Sequence, residues 1–203
     1  MIERVIKVIG LTGGIGAGKS TVSRYLMKKN FPIIDADVIA REIVIPGSPI
    51  LAELVSVFGE DILEKDGTLN RKGIAKIIFS DKQKKEWMEQ IMHQEIARLI
   101  DLRIKEFRRS GIYHTIFVDV PLLFETKSGL AEIMDEIWLV DAEDEIRIAR
   151  IMERDGNLRD DILARINNQM SREEKKKRTH VLIENSGSED ELYQKIDKLI
   201  QKL

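Results

Sequence analysis

The sequence predicts an α/β protein: a three-layer α/β/α fold on a five-stranded parallel sheet, with a helical insertion and a helical lid. Three observations predict it. Short, β-branched apolar runs alternate with longer segments of helical spacing, which is the pattern of βαβ units and a parallel sheet. A glycine-rich turn separates the first run from the first helical segment. Between residues 36 and 111 the strand pattern gives way to charged, helically spaced sequence broken by Pro46-Gly47-Ser48-Pro49 and Asp66-Gly67.

Each element follows in order. Val5 to Leu11 is short, β-branched and closed by Thr12-Gly13-Gly14, so it reads as a buried strand. Ser20 to Lys29 carries apolar positions at helical spacing. Phe31 to Asp35 is a second strand that ends on a carboxylate. Lys82 to Arg109 is a long charged helix inside the insertion. The strand pattern returns at Thr115–Asp119, at Glu136–Asp141 and near His180–Glu184. Helical segments at Asp144–Glu153, Asp160–Met170 and Glu189–Leu203 lie between and after them. The run Glu173 to Arg178 reads as a solvated helix end. Residues 1–35 and 112–203 are thus expected to form the core, with a lid at about 144–170 within it, and 36–111 an inserted subdomain.

Length and composition bound the rest. With 203 residues there is room for one well-buried domain and an insertion. Hydrophobic residues make up 43% and charged residues 33%, as in soluble globular chains. A net charge of −2 offers no global basic field, so no nucleic-acid partner is expected. There is no cysteine, which removes disulfides, thiolate zinc sites and thiol catalysis. No apolar run is long enough for a membrane span and no leader pattern is visible, so the expected location is cytoplasmic, without a membrane partner. A monomer is the expectation, with a homo-oligomer as the alternative.

Gly13-Gly14-Ile15-Gly16-Ala17-Gly18-Lys19-Ser20 fits G-x-x-x-x-G-K-[ST] between a predicted strand and a predicted helix, the context of a phosphate-binding loop. Its glycines let the backbone curl so that N–H groups point at phosphate oxygens. The helix that follows adds its positive dipole end. Lys19 brings a mobile charge to the β and γ phosphates, Ser20 a hydroxyl to Mg²⁺, and Thr21 an α-phosphate contact. Gly14, Ile15, Gly16, Ala17, Gly18, Lys19, Ser20 and Thr21 are therefore candidate ATP-binding residues. A guanine reader's Asn-Lys-x-Asp element is absent, and the length suits a small-molecule kinase better than a motor ATPase. A nucleotide-binding scaffold without turnover stays open at this point.

In a parallel sheet, ligands sit outside the carboxyl ends of the strands. Asp35, Asp37 and Asp119 fall at that edge. Phosphoryl transfer needs one carboxylate for Mg²⁺ and another for the attacking hydroxyl. On an extended segment Asp35 and Asp37 would face one side, about 7 Å apart. Either could instead cap the following helix. Arg147, Arg150 and Arg154 share a helical stretch, and Arg150 and Arg154 share a face, so they are lid candidates or members of a surface ion-pair helix. His93 and Arg71 are ambiguous from spacing alone.

The match to a known family extends well beyond the loop. Ile9 to Val22, Ile34-Asp35-Ala36-Asp37, Ala40-Arg41-Glu42, Asp66-Gly67-Thr68-Leu69-Asn70-Arg71, Asp119-Val120-Pro121-Leu122-Leu123-Phe124-Glu125, Arg154-Asp155, Gln169-Met170 and Ile183-Glu184-Asn185-Ser186-Gly187 together resemble the dephospho-coenzyme A kinases, in register along essentially the whole chain. The resemblance implies transfer of the ATP γ-phosphoryl group to the ribose 3′-hydroxyl of dephospho-coenzyme A, with Mg²⁺ as cofactor and the insertion as the acceptor subdomain. It implies Asp37 as general base, Asp35 or Asp119 with Ser20 at the metal, and Arg150 as the lid arginine at the phosphates. Asp35, Arg41, Arg71, His93 and Leu122 would lie toward the acceptor, and Asn185 and Gly187 beside the adenine. Two positions depart from the pattern: Gln94 follows His93 where the family usually has proline, and position 147, commonly glutamine, is arginine.

Overall fold

The computed structural model describes residues 6–126 and 128–203; Val5, at the head of the first predicted run, lies outside them. The chain divides into two compact units, one running to Asp35 and resuming at Arg103, the other Ala36–Leu102.

The first unit holds the sheet. Strands β1 (Lys7–Gly13), β2 (Ile33–Asp35), β3 (Thr115–Asp119), β4 (Glu136–Asp141) and β5 (Val181–Glu184) pair in the order β2-β3-β1-β4-β5, every pair parallel. The predicted strands are all present; the first runs on through Thr12 and Gly13, which the sequence pattern assigned to the turn, and the second and fifth are trimmed at their starts. Continuous apolar runs appear because the central strands are buried on both faces: all of β3, and β1 beyond Lys7, are buried. The strand order reverses beside β1, so the C-terminal end of β1 opens onto the switch point where ligands bind in such sheets.

Helices α1 (Lys19–Lys28) and, at the chain end, the last helix (Glu189–Ile200) cover one face. Val22 and Leu26 of α1 and Leu192 and Ile196 of the last helix pack with Ile9, Leu11, Phe117, Trp138, Val140 and Ile183, which point to that face from four strands. Tyr25 and Tyr193 stack 3.9 Å apart, and the Tyr25 hydroxyl donates to Asp197 at 2.8 Å. On the opposite face Gly10 leaves the space that Met134 and Leu123 fill.

The second unit is helical: α2 (Ala36–Glu42), α3 (Pro49–Phe58), α4 (Arg71–Ser80) and most of α5 (Lys82–Ser110). Ser48 caps α3, with proline at its first turn, and Asn70 caps α4 by accepting from the Gly73 N–H at 2.8 Å. The Asp66-Gly67 break becomes a turn in which Asp66 accepts from Thr68 N–H and Oγ. Gln94 sits inside the unbroken α5, where a proline would remove a helical hydrogen bond. In the first unit α6 (Asp144–Asp155), α7 (Arg159–Asn167) and α8 (Arg172–Lys177) join β4 to β5, and α9 is the final helix Glu189–Ile200. The run read as a solvated helix end is α8, but one of its lysines is not solvated: Lys175 is 3% exposed and pairs with Glu125 at 2.7 Å. Among the described residues, no helix is long and apolar enough to cross a membrane.

Leu26 is fully buried between α1 and the sheet. Leu26→Ala is expected to lower unfolding free energy by about 2–5 kcal/mol, measured by urea denaturation; a loss below ~1 kcal/mol would show that this layer collapses around the cavity.

Candidate active site

The loop between β1 and α1 is held open by its own backbone. Gly16 and Gly18 have φ of 77° and 92°, which only glycine adopts freely. The Ala17 N–H closes on the Gly14 carbonyl at 3.0 Å. The N–H groups of Gly16, Gly18, Lys19 and Ser20 bond to no other described residue, the latter two being first-turn helix donors that have no intrahelical acceptor. With the dipole end of α1 behind them they form a nest for an anion.

Side chains from other elements brace this loop. Asn185, just past β5 and 6% exposed, donates its amide to the Ala17 carbonyl at 2.8 Å, while its own N–H reaches the Asp141 carbonyl at 2.7 Å. Arg150 of α6 donates to the Asn185 carbonyl at 2.9 Å, which leaves its Nη1 buried with no partner beside Gly18. A buried guanidinium nitrogen without an acceptor is costly, and it faces the rim of an anion nest. Gly18, Thr21, Arg150, Asn185, Gly187, Glu189 and Leu192 line a pocket of about 180 Å³ there. Of the predicted nucleotide residues, Asn185 and Gly187 are thus brought together with the loop and with Arg150. Arg154, one turn on, is exposed and pairs with Asp155 at 2.7 Å.

On the other side of the loop Lys19 reaches Asp119 at the end of β3, and Ser23 donates to the second oxygen of the same carboxylate. Asp35 is the register partner of Asp119 on β2. Burial pushes the Asp119 carboxyl above its ordinary value; Lys19 and Ser23 pull it back in part, and the Asp35 charge adds to the rise. Ser20 stands exposed at the start of α1. Thr12 donates to the Pro121 carbonyl at 3.1 Å and ties the end of β1 to the turn that carries Leu122, which is 40% exposed.

In the second unit Asp37 lies in the first turn of α2 and Arg41 in its last, four residues apart and so on one face. Arg71 opens α4 after its Asn70 cap, and His93 lies half-buried in α5.

Sequence reasoning gave no role to Ser23, Gln169 or Glu125 and took Arg147 for a lid or surface arginine, yet all four hold the site. Ser23 was legible in principle, because it follows Lys19 by one helical turn. Arg147 is 3% exposed rather than a surface charge; it donates to the Ile15 carbonyl at 2.8 Å. Gln169 accepts from the Ile15 N–H at 3.1 Å, and Glu125 accepts from the Met170 N–H at 3.1 Å. These link distant parts of the chain, and no local spacing signals them.

The dephospho-CoA kinase family model matches residues 7–191. The chain belongs to the dephospho-CoA kinase family. It is 45% identical over 198 residues to the dephospho-CoA kinase of Carboxydothermus hydrogenoformans, covering 98% of this chain and 95% of that one. A protein of known structure from Thermus thermophilus superposes with TM-score 0.79 at 34% identity, over 98% of both chains. The Campylobacter jejuni dephospho-CoA kinase superposes with TM-score 0.75 at 27% identity, covering 98% of this chain and 97% of that one.

The raised Asp119 pKa has a sign for stability. The folded state takes up the Asp119 proton before the unfolded chain does, so this group adds stability as pH falls from the raised folded value toward the ordinary 3.8. Urea denaturation of wild type and Asp119→Asn from pH 7 to pH 4 is therefore expected to show the difference moving in favour of wild type as pH drops. Movement the other way would mean that the Lys19 and Ser23 bonds outweigh burial.

Proposed function

We propose that the chain transfers the γ-phosphoryl group of ATP to the ribose 3′-hydroxyl of dephospho-coenzyme A, giving coenzyme A and ADP, the final step of coenzyme A synthesis. The single observation that carries the reading is the open amide nest of Gly16, Gly18, Lys19 and Ser20 with the unpartnered Arg150 Nη1 at its rim, in a chain of this family. Backbone donors fixed before the phosphates arrive stabilise developing charge without reorganising, which is where phosphoryl transfer gains most.

Each group then has a task. The nest takes the phosphate oxygens, and Lys19, drawn from Asp119, follows the β and γ phosphates. Arg150 donates to the transferring group. Asn185 and Gly187 border the adenine pocket. Ser20, Asp35 and Asp119 are hard oxygen donors of the kind Mg²⁺ takes along with phosphates and water, so they fit the ion and would hold it. When bound, Mg²⁺ neutralises the charge on the phosphate oxygens. Asp37 accepts the proton of the attacking 3′-hydroxyl; its support is its exposed place in the first turn of α2, two residues past the end of β2, together with the family pattern. Arg41, Arg71, His93 and Leu122 serve the acceptor, whose anionic groups suit arginines. Asp35 stands between the metal and acceptor roles. A cytoplasmic location fits a substrate pair of this kind.

Two measurements test this. ADP release from Mg-ATP is expected to be fast with dephospho-coenzyme A and at background with adenosine, AMP or shikimate; release with one of the latter instead would keep the nucleotide site and discard the acceptor. Asp37→Asn is expected to lower kcat by about 10²-fold or more while the Kd for ATP changes by less than about threefold, the mark of a transition-state role. A collapse of ATP affinity with little change in kcat would hand the base role to Asp35.

A further inference from the structure

Both backbone polar groups of Ile15, the third residue of the phosphate loop, are taken by side chains that come from α6 and from the joint between α7 and α8. The carbonyl accepts from Arg147 Nε at 2.8 Å, and the N–H donates to Gln169 Oε1 at 3.1 Å. The Ile15 side chain packs on Ile148, Ile151 and Ile162 of α6 and α7. The bracket is itself anchored. Arg147 is 3% exposed and bonds Asp144 at 2.9 Å within its own helix. Next to Gln169, the Met170 N–H donates to Glu125, which pairs with the buried Lys175 of α8. No motif spacing links Ile15, Arg147 and Gln169, yet the three elements meet at one peptide.

We propose that Gln169 is a positioning residue for nucleotide binding. It acts through Ile15, holding the leading peptide of the loop so that the free amides of Gly16, Gly18, Lys19 and Ser20 stay in the arrangement that receives phosphate. It also ties that arrangement to the position of α7. A loop frozen in its binding conformation loses less entropy when the ligand arrives. Gln169 is suited to this because an N–H needs an oxygen acceptor and the glutamine oxygen adds no charge near the phosphates. Leucine of similar size keeps the packing and removes the acceptor.

The inference rests on the nucleotide reading of the loop, so its test reads structure and binding rather than turnover. In the nucleotide-free wild-type chain, the Ile15 amide is expected to exchange with solvent at least about tenfold more slowly than the Gly16 and Gly18 amides, measured by NMR. Gln169→Leu is expected to bring Ile15 exchange up to theirs and to weaken Mg-ADP by about tenfold by calorimetry, the scale of one neutral hydrogen bond. The Kd for dephospho-coenzyme A, by the same calorimetry, is expected to stay within about twofold. Gln169→Glu, which keeps an oxygen acceptor, is expected to restore slow exchange at Ile15. Equal exchange at Ile15 and Gly16 in the wild-type chain would overturn the proposal without any variant. So would a Gln169→Leu chain with unchanged Mg-ADP affinity, or one in which both substrates weaken equally as Tm falls.

Discussion

A cradle of main-chain N–H groups works only while those groups are kept from the carbonyls around them, and much of the first unit is arranged to that end. The loop cannot satisfy itself: beyond the Ala17 to Gly14 closure, the amides of Gly16, Gly18, Lys19 and Ser20 have no partners among the described residues. An isolated loop of this composition would sample many conformations, since glycine gives up more backbone freedom on folding than any other residue. Bracing therefore comes from outside, and it comes to carbonyls and to one peripheral amide rather than to the cradle itself. Asn185 takes the Ala17 carbonyl, Arg147 the Ile15 carbonyl and Gln169 the Ile15 N–H. The donors that matter for phosphate are left alone.

The sheet supplies the rigid base for this arrangement. Because β1 lies between β3 and β4, the two flanking strands end beside the loop and each delivers a carboxylate there. Asp119 of β3 meets Lys19 and Ser23, and Asp141 of β4 is held by a two-pronged bond from Arg172 at 2.9 and 2.8 Å. The two acids do different work. Asp141 is locked to a guanidinium whose pKa the bond raises further, and its backbone carbonyl receives Asn185. Asp119 is buried, pushed toward its neutral form and paired with a lysine whose proposed partner is a phosphate. A lysine held by such an acid can exchange it for a more strongly charged phosphate, and the proposed nucleotide binding requires that exchange.

Much of this was legible in the residues. The five strands follow from continuous apolar runs, because a strand buried on both faces leaves no alternation to read. The loop was legible because strand, glycines, lysine and hydroxyl fall in a fixed local order. Asn185 and Gly187 were expected beside the nucleotide only through the family pattern; what the structure adds is the bond by which Asn185 braces the Ala17 carbonyl. Arg147, Gln169, Glu125 and Lys175 were not legible as a set. Each is defined by a partner 45 to 154 residues away or by burial against another helix, and charge spacing along α8 pointed to solvent for a lysine that is buried.

The three arginines of α6 show what periodicity can and cannot decide. Arg147, Arg150 and Arg154 lie on one helix at spacings of three and four, so neighbourhood was readable. Their environments differ because the helix crosses the loop at an angle that only packing sets. Arg147 goes under the loop and holds a carbonyl, Arg150 turns toward Gly18 with one nitrogen unsatisfied, and Arg154 is solvated beside Asp155. The arginine with an unsatisfied nitrogen is the one proposed for the phosphates, and the buried one that holds the Ile15 carbonyl braces the loop. An arginine at position 147 is then compatible with a role that an amide side chain could also fill, since what the Ile15 carbonyl requires there is a planar N–H donor and not a charge.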